Sequence, residues 1–191
     1  MRIETERLIL RPWRESDAPV LYRYCSDEKI AKGGGWPPHA SEDESRFVIR
    51  SILSKPETYA ICLKDDGEII GSIGLRMGDD SPLGLFDHDG DIGYWIGVPF
   101  WGNGYATEAL AAMVDRAFAS LHAQNLWCCY ISGNKKSRRV MDKCGFAFHH
   151  TDKNCYLWPI DKVVTEHFTI LCRDKWQRKK RASLKKSQDN R

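Results

Sequence analysis

Hydrophobic positions along this chain repeat with two different periods, and the changes between them mark the elements. LILRPW (residues 8–13) reads as a short strand that stops at Pro12. ESDAPVLYRYCSDEKIA (15–31) predicts a helix with Val20, Leu21 and Tyr24 on its apolar side and Ser16 as its cap. Three glycines and two prolines in GGGWPPH (33–39) predict a loop. SEDESRFVIRSILSK (41–55) predicts a second helix, capped by Ser41 with Glu44 in the matching box position, and with Phe47, Ile49, Ile52 and Leu53 supplying apolar contacts. TYAICLK (58–64), a turn at DDG and EIIGSIGLRM form a hairpin. Residues 78–90 are a polar, Gly-rich connection, and DIGYWIGV (91–98) is the next strand.

The longest helical pattern is GYATEALAAMVDRAFASL (104–121), with Ala106, Leu110, Met113, Val114, Ala117 and Leu121 on one face. After it come a strand at LWCCYI (126–131), a helix at NKKSRRVMDKCG ending at Gly145, a strand at FAFHH, and one or two strands within 155–172. Early strands meet antiparallel and later ones cross over through helices. The order predicts an α/β fold with a mixed, mostly antiparallel central sheet and flanking helices. At 191 residues this is one domain, assigned to 1–175, with a helical or disordered basic extension at 176–191.

Composition changes this picture in two places. The formal charge of +3 is uneven: residues 173–191 carry nine Lys or Arg against two Asp, so that segment is +7 and the remainder −4. The tail could hold the protein weakly near a ribosome or RNA through phosphate attraction, with Trp176 stacking on a base, or it could be a solvated end. Seven scattered cysteines without an export signal predict free thiols, and the lack of a long apolar run predicts a cytoplasmic protein with no membrane partner. DHDGD (87–91) lacks the order of a calcium loop, and Cys144, His149, His150 and Cys155 lack structural zinc spacing, so no metal is expected.

WGNGYATEA (101–109) joins a strand to the long helix with two glycines in three residues. Such a junction leaves backbone N–H groups unpaired at a helix start and attracts phosphate oxygens, or it is a tight turn with close helix–strand packing. It is neither GxxxxGK[ST] nor GxGxxG. With ETERLILRPW, DIGYWIG and the N-x-x-S-x-x-V-x-x-K-x-G-F element in NKKSRRVMDKCGF, the chain resembles the GCN5-related N-acetyltransferases, and within them the ribosomal-protein-alanine type, over about residues 4–172. Trp101 stands where the broad family has Gln or Arg.

The resemblance implies the acyl-CoA N-acyltransferase fold, with a V-shaped cofactor cleft where the family's fourth and fifth strands splay. Acetyl-CoA as cosubstrate would place its pyrophosphate on Trp101, Gly102, Asn103, Gly104, Tyr105, Ala106 and Thr107, and its pantetheine along Trp95, Ile96, Gly97 and Val98, with Asn134 and Ser137 beside the thioester. Ile96, Gly97 or Val98 would offer an amide to the oxyanion. Ser137 would assist the leaving thiolate, with Asn134 orienting nearby groups. Asp91 would serve as base through water, with Glu108 and His88 also weighed, Glu108 as a structural group at the helix start. Trp36, Pro37, Pro38 and the acids Asp79, Asp80, Asp87 and Asp89 would form an acceptor surface favouring a cationic amine, unless residues 78–90 are only a solvated loop. The implied acceptor is a protein N-terminus, a small-molecule amine or an aminoacyl conjugate. The alternative is a CoA-binding or RNA-tethered module with little catalysis. Both a monomer and a homodimer are compatible with the family.

Overall fold

A computed structural model describes residues 1–189, with side chains through 182. Its elements are β1 (Ile3–Glu4), β2 (Leu8–Pro12), α1 (Ala18–Cys25), α2 (Glu28–Gly34), α3 (Glu42–Val48), β3 (Thr58–Leu63), β4 (Ile69–Met77), β5 (Asp89–Ile96), α4 (Tyr105–Ala119), β6 (Asn125–Ile131), α5 (Lys135–Cys144), β7 (Ala147–Leu157), β8 (Lys162–Cys172) and α6 (Arg173–Asp189). The eight strands form one sheet in the order β1-β2-β3-β4-β5-β6-β8-β7. Every pairing is antiparallel except β5 with β6. This is the mixed, mostly antiparallel α/β sheet that the strand order predicts.

Strand alternation gives the sheet two faces. Ile61, Ile70, Ile73, Leu75, Ile92, Ile96, Leu126 and Cys128 pack against Leu110, Met113, Val114 and Ala117 of α4 and Met141 of α5. On the other face Ala60, Cys62 and Ile69 pack with Trp13, Ala18, Leu21, Cys25 and Ile49, and with the half-buried Trp95. The buried stripe of α4 is the one the sequence pattern picks out, extended to Ala109 and Phe118, with Ala106 and Leu121 at its margin.

Four local expectations change. The helix expected over 15–31 is broken at Ser26–Asp27, because the Asp27 carboxylate accepts from Lys29 N at 2.7 Å and restarts the chain as α2. Gly33 and Gly34 then lie in the last turn of α2, and only Gly35, at φ 79°, leaves it. Ser16 caps nothing in α1: Asp17 occupies the N-cap position and spends its carboxylate on Arg11, at 2.7 and 3.0 Å, and on Arg14 N. The second helix does start at Ser41, whose hydroxyl accepts from Glu44 N at 3.1 Å. It turns to π-type bonding over Ile49–Leu53, which shifts its phase. Ile49 is buried, whereas Phe47 and Ile52 are 65% and 58% exposed.

All seven cysteines are free. Among the described residues no helix is long and apolar enough to cross a membrane. The boundary drawn at 175/176 falls inside α6. Trp176 packs on Phe118 with ring centroids 5.3 Å apart and donates to Asp115 Oδ1 at 2.7 Å, so its ring is committed to the core. Lys185, Lys186 and Arg191, three of the nine cations that suggested an RNA contact, lie outside the described side chains.

Candidate active site

The site begins where a pairing ends. β5 and β6 pair only through Asp89↔Asn125, Gly90↔Leu126 and Asp91↔Trp127. β5 continues alongside β4 to Gly71↔Ile96, and β6 alongside β8 to Ile131↔Glu166. Over that length the two strands no longer hold each other, and a cleft of about 650 Å³ opens between them. That is an ordinary size for a small-molecule site.

Backbone alternation decides which groups face the gap. Gly97 N donates to Ile70 O at 2.7 Å, toward β4. The neighbouring amide of Ile96, and that of Tyr94, therefore point to the opposite side, where β6 has left. Trp101 Nε1 reaches Ile96 O on that side at 2.6 Å. Of the three amides expected to serve an oxyanion, Gly97's is thus spent. Val98 starts a 3-10 turn and lies off the cleft wall, which leaves Ile96.

The loop that follows turns through Gly102 at φ 86° and Gly104 at φ 83°. A Cβ at Gly102 would meet nothing within 4 Å, so the left-handed backbone, not crowding, selects glycine there. The first intrahelical bond of α4 is Glu108 N to Gly104 O at 3.0 Å. The amides of Tyr105, Ala106 and Thr107 precede it and have no intrahelical acceptor, and all three residues line the cleft. Trp101 has a clear task in this loop: its indole N–H ties the loop to the end of β5, and its ring carries Lys136 Nζ at 3.6 Å. Asn103 stays outside the wall, its carbonyl accepting from Arg7 Nη1 at 3.0 Å. Glu108 also faces away. It accepts from Thr5 Oγ1 at 2.6 Å and from Arg7 N and Nε, each at 2.7 Å. Burial pushes its carboxyl up, but these bonds outweigh burial and hold it below the usual range.

α5 forms one bank. Asn134 caps it, Oδ1 accepting from Ser137 N at 3.1 Å, and Tyr94 Oη donates to Ser137 O at 3.2 Å. Both backbone groups of Ser137 are held, while its hydroxyl, on the cleft wall, has no hydrogen-bond partner among the described residues. Tyr94, which the motif reading passes over, is half-buried, and burial pushes its phenol well above the ordinary value. Lys136, Arg139 and Lys143 of α5 also line the cleft. Their spacing of three and four residues puts them on one helix face, a signal present in KKSRRVMDK.

α2 forms the other bank, on the opposite face of the sheet. It packs on β5 and β6. A Cβ at Gly35 would approach Ile131 Cδ1 at 3.6 Å, and one at Gly33 would approach Asn134 Nδ2 at 3.5 Å. Lys29, Ile30, Lys32, Gly33 and Gly34 complete the wall. Nothing in the sequence joins this helix to the motif residues.

The acids expected near the mouth are elsewhere. Asp89 is buried and accepts from Asn125 Nδ2 at 3.0 Å and Trp127 Nε1 at 3.4 Å. Asp91 is buried at the closed end of the V, on the face opposite Tyr94 and Ile96. Arg76 holds its Oδ2, Nε lying at 3.2 Å, and Oδ1 has no partner among the described residues. Asp79, Asp80, Asp87 and His88 are exposed and off the wall. The expected attraction of a cationic acceptor by these groups therefore does not hold at the cleft itself. Among the described residues the wall carries Lys29, Lys32, Lys136, Arg139 and Lys143, and no Asp, Glu or His. Open helix amides, cations on α5 and an outward strand amide fit a ligand with phosphates at one end and an amide-bearing arm at the other.

Comparison with known proteins points the same way. Residues 7–147 match the family model described as the acetyltransferase (GNAT) domain. An uncharacterized N-acetyltransferase, p20, of Bacillus licheniformis is 29% identical over 147 residues, covering 74% of this chain and 80% of that protein. A GNAT-family acetyltransferase from Bacillus anthracis superposes with a TM-score of 0.80 at 21% identity, over 91% of this chain and 99% of that one. A ribosomal-protein-S5-alanine acetyltransferase from Vibrio fischeri superposes with a TM-score of 0.71 at 20% identity, over 92% and 98%.

Proposed function

This chain belongs to the GNAT acetyltransferase family and is an N-acetyltransferase, and on that premise we propose that it transfers acetyl from acetyl-CoA to the α-amine of a peptide or protein N-terminus. The observation that carries the acceptor assignment is the cleft wall, cationic and without carboxylate or imidazole among the described residues. An amine must lose a proton before it can attack. An α-amine does so near pH ~8, a lysine side chain near ~10.4. A cationic wall disfavours an ammonium and lowers that value further, so an α-amine needs only water as acceptor of its proton. A lysine would need a base that the wall lacks. The ribosomal-protein-alanine acetyltransferase of Vibrio fischeri, similar in fold, is named for such an acceptor.

Acetyl-CoA, when bound, supplies an activated acetyl thioester. The amides of Tyr105, Ala106 and Thr107 would hold its diphosphate at the positive end of α4, with Lys136, Arg139 and Lys143 adding charge. The outward amides of Tyr94 and Ile96 would bind along the pantetheine arm, and Ile96 N–H would face the acyl oxygen as it gains negative charge. Ser137 Oγ would donate to the departing sulfur, its position set by Asn134 and Tyr94. Asp91 would be a tie between β4 and β5 through Arg76.

The experiment is thiol release from acetyl-CoA against peptides with free or blocked N-termini, with and without lysine. Turnover that requires a free N-terminus and ignores lysine supports the assignment. Turnover on N-blocked, lysine-bearing peptides overturns it, and failure to take up acetyl-CoA by calorimetry overturns the cosubstrate.

A further inference from the structure

The two banks of the cleft are both cationic, but only one of them faces the helix start that suits a diphosphate. Lys136, Arg139 and Lys143 stand on α5, on the same face of the sheet as α4. Lys29 and Lys32 stand on α2, across the sheet, where Gly35 abuts Ile131. Three residues apart, they project from one side of the helix. Both are exposed, and neither ammonium has an acidic partner among the described residues. Glu28, next to Lys29 and four residues before Lys32, is exposed and forms an ion pair with neither among the described residues, and Asp27 spends its carboxylate on Lys29 N as the helix cap.

Their place relative to the chemistry is fixed by contact. Lys32 precedes Gly33, which abuts Asn134, and Asn134 holds Ser137. The α2 lysines therefore flank the same opening that Ser137 lines, on the bank away from α4.

We propose that Lys29 and Lys32 form an anion subsite for the acceptor, so that the preferred substrate carries a carboxylate or phosphate within about two residues of its reactive amine. The inference rests on the transferase assignment above and adds the acceptor's charge to it. An anion there is drawn in by uncompensated lysines in a confined, single-signed opening. It also brings the amine beneath α2 without placing a negative charge next to the ammonium from the protein side. A cationic peptide is repelled by the same wall.

The test uses the full chain and matched peptides with a free N-terminal alanine, followed at position two by Glu, phosphoserine, Gln or Lys. For the wild type at low salt, kcat/KM should be roughly five- to tenfold higher for the Glu or phosphoserine peptide than for the Gln peptide, and lowest for Lys. Which anionic peptide leads distinguishes a carboxylate from a phosphate. In Lys29→Ala/Lys32→Ala the anionic-to-Gln ratio should collapse toward one, with the Kd for acetyl-CoA held within about twofold, and Lys29→Arg/Lys32→Arg should restore the ratio. Equal rates for Glu and Gln peptides, or a double variant that keeps the ratio, overturn the subsite. So does a double variant whose main loss is acetyl-CoA affinity. Calorimetric binding of the same peptides to the CoA-loaded protein gives an independent readout: if no peptide turns over, the peptide-acceptor assignment has failed, while equal Glu and Gln affinities defeat the subsite itself.

Discussion

The two ends of β5 belong to one eight-residue strand and have opposite fates in space. At its start, β5 is paired on both edges, and its carboxylates are consumed: Asp89 by Asn125 and Trp127, Asp91 by Arg76. At its end, one edge is released, and the amides of Tyr94 and Ile96 face open space beside Ser137. The closed end behaves as core, where burial favours paired polar groups: three of the four carboxylate oxygens of Asp89 and Asp91 have partners, and Asp91 Oδ1 has none among the described residues. The open end behaves as a binding surface, with donors held in place and left unpaired. A strand residue's function here depends on which side of the last β5–β6 pair it falls. If the division is right, changes at the open end cost activity and changes at the closed end cost stability.

The largest effect should come from Ser137. Ser137→Ala removes a hydroxyl from the wall of the parted end and keeps the Asn134 and Tyr94 contacts, which are to its backbone. A fall in kcat of about 10²-fold is expected, in the range for positioned proton donors, with KM for acetyl-CoA nearly unchanged. Full kcat across the pH range would remove the role and blur the division between the ends.

Next is the α5 bank. Replacing Lys136, Arg139 and Lys143 by Gln should weaken acetyl-CoA roughly 10- to 30-fold by calorimetry, and less at high salt, since exposed charges are screened. A loss insensitive to salt would mean that packing of Lys136 on Trp101, at 3.6 Å, matters more than charge.

How much of this division was legible beforehand follows from the same geometry. The glycines 102 and 104, Trp101, Asn134 and Ser137 sit in short motifs whose conformations are local, and so they could be placed from sequence. The sheet and the α4 stripe were legible because alternation and helical period are local as well. Which face of β5 a carboxylate takes is also local, but what it meets there is not. Asp91 looks like a candidate base until Arg76, 15 residues away, claims it. Lys29 and Lys32 reach the cleft only because α2 crosses β5 and β6, and that crossing leaves no trace in the chain's periodicity. Ile52 was misplaced for a smaller reason, since one π turn moves every later side chain on the helix, whereas Phe47 precedes that turn and lies on the exposed side of α3.

At the closed end, Asp91→Asn should cost about 1–2 kcal/mol by urea denaturation, because it removes the charge that Arg76 binds and keeps the shape. The acidic limb of kcat/KM against pH should stay where it is. A limb that moves or vanishes would make Asp91 the base, acting on the opening from outside its wall.

The smallest effect sharpens the comparison at its boundary, because Glu108 is a carboxylate beside the open end that behaves like one from the closed end. Three donors from Thr5 and Arg7 hold its folded pKa below the unfolded value of about 4.3. As pH falls, the unfolded chain takes up this proton first. The stabilisation is therefore complete above the unfolded pKa and is lost as pH falls through the folded one. Glu108→Gln should then cost about 1 kcal/mol at pH 7, and the gap between variant and wild type should shrink as pH falls below the unfolded value. Catalysis should follow stability only, with no new limb in the pH profile. A gap that is constant from pH 7 to pH 3 would deny the ionised network, and a kcat loss without a stability loss would move Glu108 across the boundary into the reacting site.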